Sequence, residues 1–387
     1  MKKKIAILGS TGSIGKTLVN ILKKDKKNFE ITLLSANKNI RELEKQANLF
    51  GVKNLIVTDK KNYLRIKSKK KFKKKNIFNN FLSIDKILQN KVDYVMSSIS
   101  GIEGLGPTIQ IIKHTKKIAI ANKEAIICGW NIIKNELDKN KTEFIPIDSE
   151  HFSINYALKK INQRNVENIY LTASGGPLKD LPLSKFKNIS INDALKHPNW
   201  KMGKKISIDS ATMMNKVFEI IEAHNIFNIS YKKLKILIHP KSYVHAIIKF
   251  KDGMIKIIAH DTSMTIPIHN SIYCDDNKLL KTENLNIEKL NNLDLSKVDY
   301  KRFPLVKILL KQNNDNSLFE TIIVAANDEL VNNFLNKKIK FTDISEKLLN
   351  FVKLKEFKKY KMIKPKNIES VEKLNKYVRI KINKLSI

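Results

Sequence analysis

Short apolar runs of four to six residues, separated by longer stretches of helical period, dominate the first part of the chain. Runs at 4–8, 29–34, 54–57, 94–99, 117–120 and 144–147 read as buried strands. The segments between them, such as 16–23, carry apolar residues at helical spacing. Strands alternating with helices predict an α/β fold with a Rossmann-like, doubly wound parallel sheet. In such a sheet ligands bind at the carboxyl ends of the strands. A second unit follows, in which 169–173, 205–208, 234–238, 243–250 and 254–259 read as strands and 211–223 as a helix. Lys251-Asp252-Gly253 suits an antiparallel turn between the last two strands. This is an α+β pattern. From 300 onward the period is helical, over 306–310, 319–335, 341–351 and 368–381, which predicts a C-terminal helical bundle. The expected division is 1–147, 148–274 with a mobile lid near 197–205, a linker at 275–299, and 300–387.

What lies at the strand ends adds chemistry. The first strand runs into Gly9-Ser10-Thr11-Gly12-Ser13-Ile14-Gly15 and then a helix. A glycine turn lets a pyrophosphate approach the backbone, and the helix N-terminus supplies N–H groups and a positive dipole end. The second strand ends at Asn37-Lys38-Asn39, with no acidic residue to hold the ribose hydroxyls, so NADP is preferred over NAD. Ala121-Asn122-Lys123-Glu124 and Asp148-Ser149-Glu150-His151 follow further strands. If 146–150 is extended, Asp148 and Glu150 share a face, and two like charges there repel unless a cation lies between them. Taken alone, the stretch is better read as a solvated strand end.

In the second unit, Ser174-Gly175-Gly176-Pro177 is a turn that exposes backbone N–H groups, and His197-Pro198-Asn199-Trp200-Lys201-Met202-Gly203 has the composition of a lid. Asp209-Ser210 reads as the cap of the 211–223 helix. On that helix Asn215 and Glu219 are four apart and Lys216 and Glu219 three apart, so the three share a side. They suit phosphate and metal together; the bland alternative is a surface helix with an ordinary ion pair.

Composition excludes more than it suggests. The 387 residues suffice for two or three domains. No stretch is long and apolar enough to span a bilayer. Cys128 and Cys274 make neither a disulfide framework nor a zinc spacing, which points to a reducing cytoplasm. The formal charge is +36, but nearly all of it is lysine, in a chain also rich in Asn and Ile. Without arginine clusters this is base-composition drift rather than a nucleic-acid-binding surface. The run at 67–75 is expected to be a solvated loop or helix face.

In order and spacing, these motifs resemble the 1-deoxy-D-xylulose 5-phosphate reductoisomerase family. The resemblance extends to His239-Pro240-Lys241-Ser242 and Ala325-Ala326-Asn327. It implies NADPH-dependent rearrangement and reduction of that substrate to 2-C-methyl-D-erythritol 4-phosphate in non-mevalonate isoprenoid synthesis. It further implies that Asp148, Glu150 and Glu219 bind one divalent cation, Mg²⁺ or Mn²⁺. Ser174, Ser210, Asn215 and Lys216, with His197, would hold the substrate phosphate, and Lys123 and Ser149 its other oxygens. Thr11, Gly12, Ser13, Ile14, Asn37, Lys38, Asn39, Asn122, Glu124 and Gly203 would line the NADPH site. Trp200 would close over the substrate, with Met202 near the nicotinamide. A homodimer is implied as well. Two departures stand out: Asn37 replaces a common Gly, and Thr262-Ser263-Met264-Thr265 replaces Pro-Asp-Met-Arg. The first is expected to touch the backbone of the cofactor loop, the second packing or a subunit contact. An ordinary NADP dehydrogenase of a phosphorylated hydroxy acid would share the first domain but would not need three carboxylates.

Overall fold

The computed structural model describes residues 1–387 except Lys201, Cys274, Asp275, Asp276, Asn277, Asn314 and Ile387. Readings that fall on those positions, including Cys274 and the start of the 275–299 linker, lie outside the described residues. The chain forms two compact units. One comprises residues 1–126, 132–148 and 263–281, the other residues 127–131, 149–262 and 282–387.

The first unit is built on seven strands: β1 (Lys3–Leu8), β2 (Phe29–Ala36), β3 (Asn54–Val57), β4 (Asn76–Phe78), β5 (Val92–Ser97), β6 (Thr115–Ile120) and β7 (Glu143–Pro146). Their order is β4-β3-β2-β1-β5-β6-β7, and every pairing is parallel. The order reverses between β1 and β5, so the cleft of a doubly wound sheet opens beyond the end of β1. Helices α1 (Ser13–Lys23), α2 (Ile40–Leu49), α3 (Lys60–Lys67), α4 (Ile84–Ile87), α5 (Leu105–Ile112) and α6 (Lys123–Asn140) connect the strands. Ile5, Ile7, Leu34, Leu55 and Met96 form a continuous core with Leu18 and Leu22 of α1. The lysine run at 67–75 is largely solvated, with Lys67, Lys70, Lys71, Lys73 and Lys74 exposed, but it is also anchored. Phe72 is buried within it, Lys69 and Lys71 pair with Glu44, and Lys75 donates to the Val52 carbonyl at 2.6 Å.

The second unit has a mixed sheet in the order β11-β10-β8-β9-β12. Its strands are β8 (Val166–Ala173), β9 (Leu234–Ile238), β10 (Val244–Phe250), β11 (Ile255–Ala259) and β12 (Ser296–Lys297), and β10 and β11 form the expected antiparallel hairpin. Helices α7 (Ser149–Leu158), α8 (Ile191–Leu195), α9 (Lys204–Ala211) and α10 (Met214–Phe227) belong to it, while α11 (Thr265–Ile272) packs in the first unit. Then come α12 (Ile287–Asn291), α13 (Leu318–Leu335), α14 (Phe341–Phe351) and α15 (Ile368–Ser386). The last three match the helical period of the sequence closely.

Three local readings are corrected. Residues 146–150 are not extended: β7 stops at Pro146 and α7 begins at Ser149. Residues 205–208 are not a strand but lie inside α9. Asp209 and Ser210 therefore do not cap α10; they form the last turn of α9, and α10 starts after Met213, whose φ is +64°. A left-handed methionine costs roughly 1–3 kcal/mol, here at the corner between two helices that carry candidate site residues.

Candidate active site

In the first unit, the chain leaves β1 through Gly9, at φ +77°. A Cβ on Gly9 would lie 2.7 Å from the Ser98 carbonyl oxygen, so only glycine fits between the ends of β1 and β5. Thr11 and Gly12 lead into α1, whose N-terminus at Ser13 and Ile14 has no side-chain cap. That leaves an N-terminal dipole end facing the cleft position of the sheet. Asn37 donates to the Thr58 hydroxyl at 2.8 Å and is not in the left-handed region, so the residue's departure from glycine places no strain on the loop. Lys38 is exposed, and Asn39 caps α2 through the Glu42 N–H. Asn122 uses both amide protons on the Ile99 and Gly101 carbonyls and accepts from the Ala125 N–H at 3.0 Å. Its side chain is thus committed to starting α6, which presents Lys123 and Glu124 in the first turn. Lys123 ion-pairs with Asp148 at 3.2 Å.

In the second unit, the first turn of α7 and the first two turns of α10 converge. Lys216 is 4 % exposed. Its ammonium contacts Glu150 Oε1 at 2.7 Å and also Glu219. Burial pulls the Lys216 pKa down, but the Glu150 and Glu219 charges outweigh it and hold it above the ordinary lysine value. Ser149 donates to Glu150 Oε2 at 2.6 Å, and Asn215 donates to Glu219 Oε1. The helical spacing expected of Asn215, Lys216 and Glu219 is realised. The surface-helix alternative is not, because α10 is buried along nearly its whole length. Two carboxylates already gathered round one cation, with only oxygen donors, form a set suited to Mg²⁺ or Mn²⁺ rather than zinc. Asp148 immediately precedes Ser149 in the chain.

The Ser174 turn lies against the end of α9. Gly176, at φ +69°, would place a Cβ 2.8 Å from the Ser210 carbonyl oxygen. Ser174 Oγ accepts from the Gly176 N–H at 3.0 Å and contacts His197 Nε2 at 3.1 Å. His197 Nδ1 accepts two backbone N–H groups, from Asn199 at 3.2 Å and Trp200 at 3.0 Å. The ring proton therefore sits on Nε2 and is donated to Ser174, whose own hydroxyl proton remains to donate to an anion. Burial lowers the His197 pKa to about 4, so the ring is a neutral donor at physiological pH. A cavity of about 590 Å³ is lined by Ser174, Gly176, Lys179, Lys196 and Pro198. Asn199 donates to the Pro240 carbonyl at 2.6 Å and to the Ser242 hydroxyl at 2.8 Å. Trp200 meets His245 edge-on at 6.4 Å between ring centroids. His245 stacks on His260 at 3.8 Å; burial, then repulsion from His260, pushes its pKa to about 3.

Comparison with known proteins places this geometry in a family. Residues 5–129 match the profile for 1-deoxy-D-xylulose 5-phosphate reductoisomerase, and 144–227 and 261–381 match its two C-terminal domain profiles. A 1-deoxy-D-xylulose 5-phosphate reductoisomerase of Pelagibacter ubique (strain HTCC1062) is 59% identical over 387 residues, covering 100% of both chains. The chain belongs to the 1-deoxy-D-xylulose 5-phosphate reductoisomerase family. A second relative, from Wolbachia pipientis wMel, is 40% identical over 347 residues, 89% of this chain and 88% of its own. Among solved structures, the reductoisomerase of Zymomonas mobilis in complex with NADPH superposes with a TM-score of 0.90 at 29% identity, covering 100% of this chain and 99% of that one. A reductoisomerase in complex with NADPH, fosmidomycin and magnesium gives a TM-score of 0.90 at 26% identity, over 99% of this chain and 98% of its own.

In this reductoisomerase-family chain the sequence motifs assign no role to His151 or Glu222. His151 is fully buried, with Nε2 at 2.8 Å from the Glu219 carbonyl and Nδ1 at 3.6 Å from Glu222 Oε2. Glu222 lies three residues beyond Glu219 on α10, so the helical spacing was the available signal.

Proposed function

We propose that this chain carries out the NADPH-dependent rearrangement and reduction of 1-deoxy-D-xylulose 5-phosphate to 2-C-methyl-D-erythritol 4-phosphate, as a step of non-mevalonate isoprenoid precursor synthesis. The observation that carries the proposal is the convergence of Glu150 and Glu219 on one cationic position, held by Lys216 and flanked by Asn215, in a member of this family. Asp148, Glu150 and Glu219 would together hold one Mg²⁺ or Mn²⁺. When bound, that ion supplies Lewis acidity to the ketone oxygen and lowers the pKa of a neighbouring hydroxyl, while NADPH supplies the hydride.

The chain's own residues bind, orient and shield. Ser174 and Ser210 donate hydroxyl protons to the phosphate, Asn215 an amide N–H, and Lys216 its charge. His197, neutral and fixed as the Nε2–H tautomer, orients the Ser174 hydroxyl. Lys123 and Ser149 face the substrate's remaining oxygens. Phosphate binding is remote from the reacting carbons, so its energy can hold the lid segment of Trp200 closed and keep water from those carbons. Thr11 to Ile14, Asn37 to Asn39, Asn122, Glu124 and Gly203 serve NADPH, with Met202 beside the nicotinamide.

The domain division at 147, 274 and 299 belongs to the same proposal, as do a reducing cytoplasmic setting and a homodimer. Support for the dimer comes from edge strand β11, where Ile255 is 55% and Ile257 48% exposed. The test is NADPH consumption followed by absorbance. Turnover must require 1-deoxy-D-xylulose 5-phosphate and stop with chelator; folded protein with Mn²⁺ and no turnover would sink the proposal.

A further inference from the structure

We propose that Asn327 is a positioning residue for the phosphate anchor, acting through Asp209. This rests on the assignment of Ser210 to the phosphate under the proposed function. Asp209 is 1% exposed, and a carboxylate so deeply buried must be paired. Asn327 Nδ2 donates to Asp209 Oδ1 at 2.8 Å, and Lys205 Nζ reaches Oδ2 at 2.8 Å. Lys205 also pairs with Asp328 at 3.0 Å, and Asp328 with Arg379 at 2.9 Å. The last turn of α9 is thereby fastened to α13 and, through α13, to α15.

Several features direct this fastening at Ser210. Ser210 follows Asp209 on the same helix, so fixing the Asp209 carboxylate fixes the azimuth of the Ser210 hydroxyl about 100° away. The α9 terminus is closed by Thr212, which donates to the Ile208 carbonyl at 3.1 Å, and the Gly176 backbone packs on the Ser210 carbonyl. Beyond the Met213 corner, the same chain carries Asn215 and Lys216. A turn of α9 about its axis would therefore displace Ser210 from Ser174 and shift the start of α10 together. Ala325 and Ala326, both fully buried beside Asn327, fit a close approach of α13. An apolar residue at 327 would pack equally well but would leave Asp209 Oδ1 without its donor.

The test compares Asn327→Ala, Lys205→Met and Ser210→Ala in the full-length protein with NADPH and Mg²⁺. Four quantities are read: KM for 1-deoxy-D-xylulose 5-phosphate, the competitive Ki of inorganic phosphate, KM for NADPH, and kcat. In Asn327→Ala, substrate KM and phosphate Ki should both rise about tenfold, with NADPH KM and kcat within about twofold of the parent. Lys205→Met removes the ammonium, which also lies 5.0 Å from the Phe218 ring centroid, and should move the same two constants by about threefold. A merely structural role for Asn327 would lower Tm and leave both constants unaltered. That result, with Ser210→Ala raising both, would overturn the inference. If Asn327→Ala does not fold, Lys205→Met decides alone, and unaltered constants in it overturn the proposal. If Ser210→Ala itself moves neither constant, the phosphate assignment fails and the inference falls with it.

Discussion

Removing the Lys216 charge tests how the carboxylate pair is held. In Lys216→Met, Glu150 and Glu219 lose the ammonium that contacts both, at sites where Glu219 is 2 % exposed. Deleting one partner of a buried ion pair costs about 3–5 kcal/mol, because the charge left behind is neither solvated nor paired. In a unit of this size each kcal/mol lowers Tm by roughly 2–4 °C, so about 6–12 °C is expected at the lower bound of that cost. The same variant should gain more from a divalent cation than the parent does, since the ion replaces the missing charge. Thermal unfolding followed by circular dichroism, in EDTA and in millimolar Mg²⁺, reads both effects. Adding Glu219→Gln to Lys216→Met removes the repulsion and should recover about half the loss, a coupling that a double-mutant cycle isolates. An unchanged Tm in EDTA, or an equal Mg²⁺ increment in parent and variant, would refute the reasoning.

Other expectations are more local. His197 should show no titration between pH 5.5 and 8 by NMR of its ring, because burial places its pKa at about 4 against an ordinary 6.5; a midpoint near 6.5 would contradict this. Since the folded value is depressed, its contribution to stability is present above pH 6.5 and is lost as pH falls toward 4. Gly9→Ala forces a Cβ to 2.7 Å from the Ser98 carbonyl at a left-handed φ, and should cost about 1–3 kcal/mol and weaken NADPH binding by fluorescence titration. Ile257→Lys on edge strand β11 should shift the protein toward monomer in sedimentation, and an unshifted dimer would place the subunit contact elsewhere.

The parallel sheet was legible because its strands are buried on both faces and read as unbroken apolar runs, from Ile5 to Ile145. β4 was not, since Asn76–Phe78 is three residues long and follows the lysine run. The alternation Lys205, Ile206, Ser207, Ile208 has the period of a strand, yet this stretch is helical. Lys205 and Asp209 pair at the helical i,i+4 spacing, and both are fastened further, to Asp328 and Asn327, by contacts that no local window contains. At the site, the helical spacing of Asn215, Lys216 and Glu219 was readable directly. The metal, phosphate and NADPH assignments came instead from resemblance to a family, because a carboxylate's spacing alone does not separate a ligand from an ordinary ion pair. The part played by His151 depends on the Glu219 carbonyl, which sequence does not display.

Direct Mn²⁺ binding, by electron paramagnetic resonance titration of the parent and of Glu219→Gln, is the sharpest test of the carboxylate set. One Mn²⁺ per chain is expected for the parent, with affinity reduced at least tenfold in Glu219→Gln while the circular dichroism spectrum stays unchanged. Equal stoichiometry and affinity in the two proteins would contradict the assignment of Glu219 as a metal ligand.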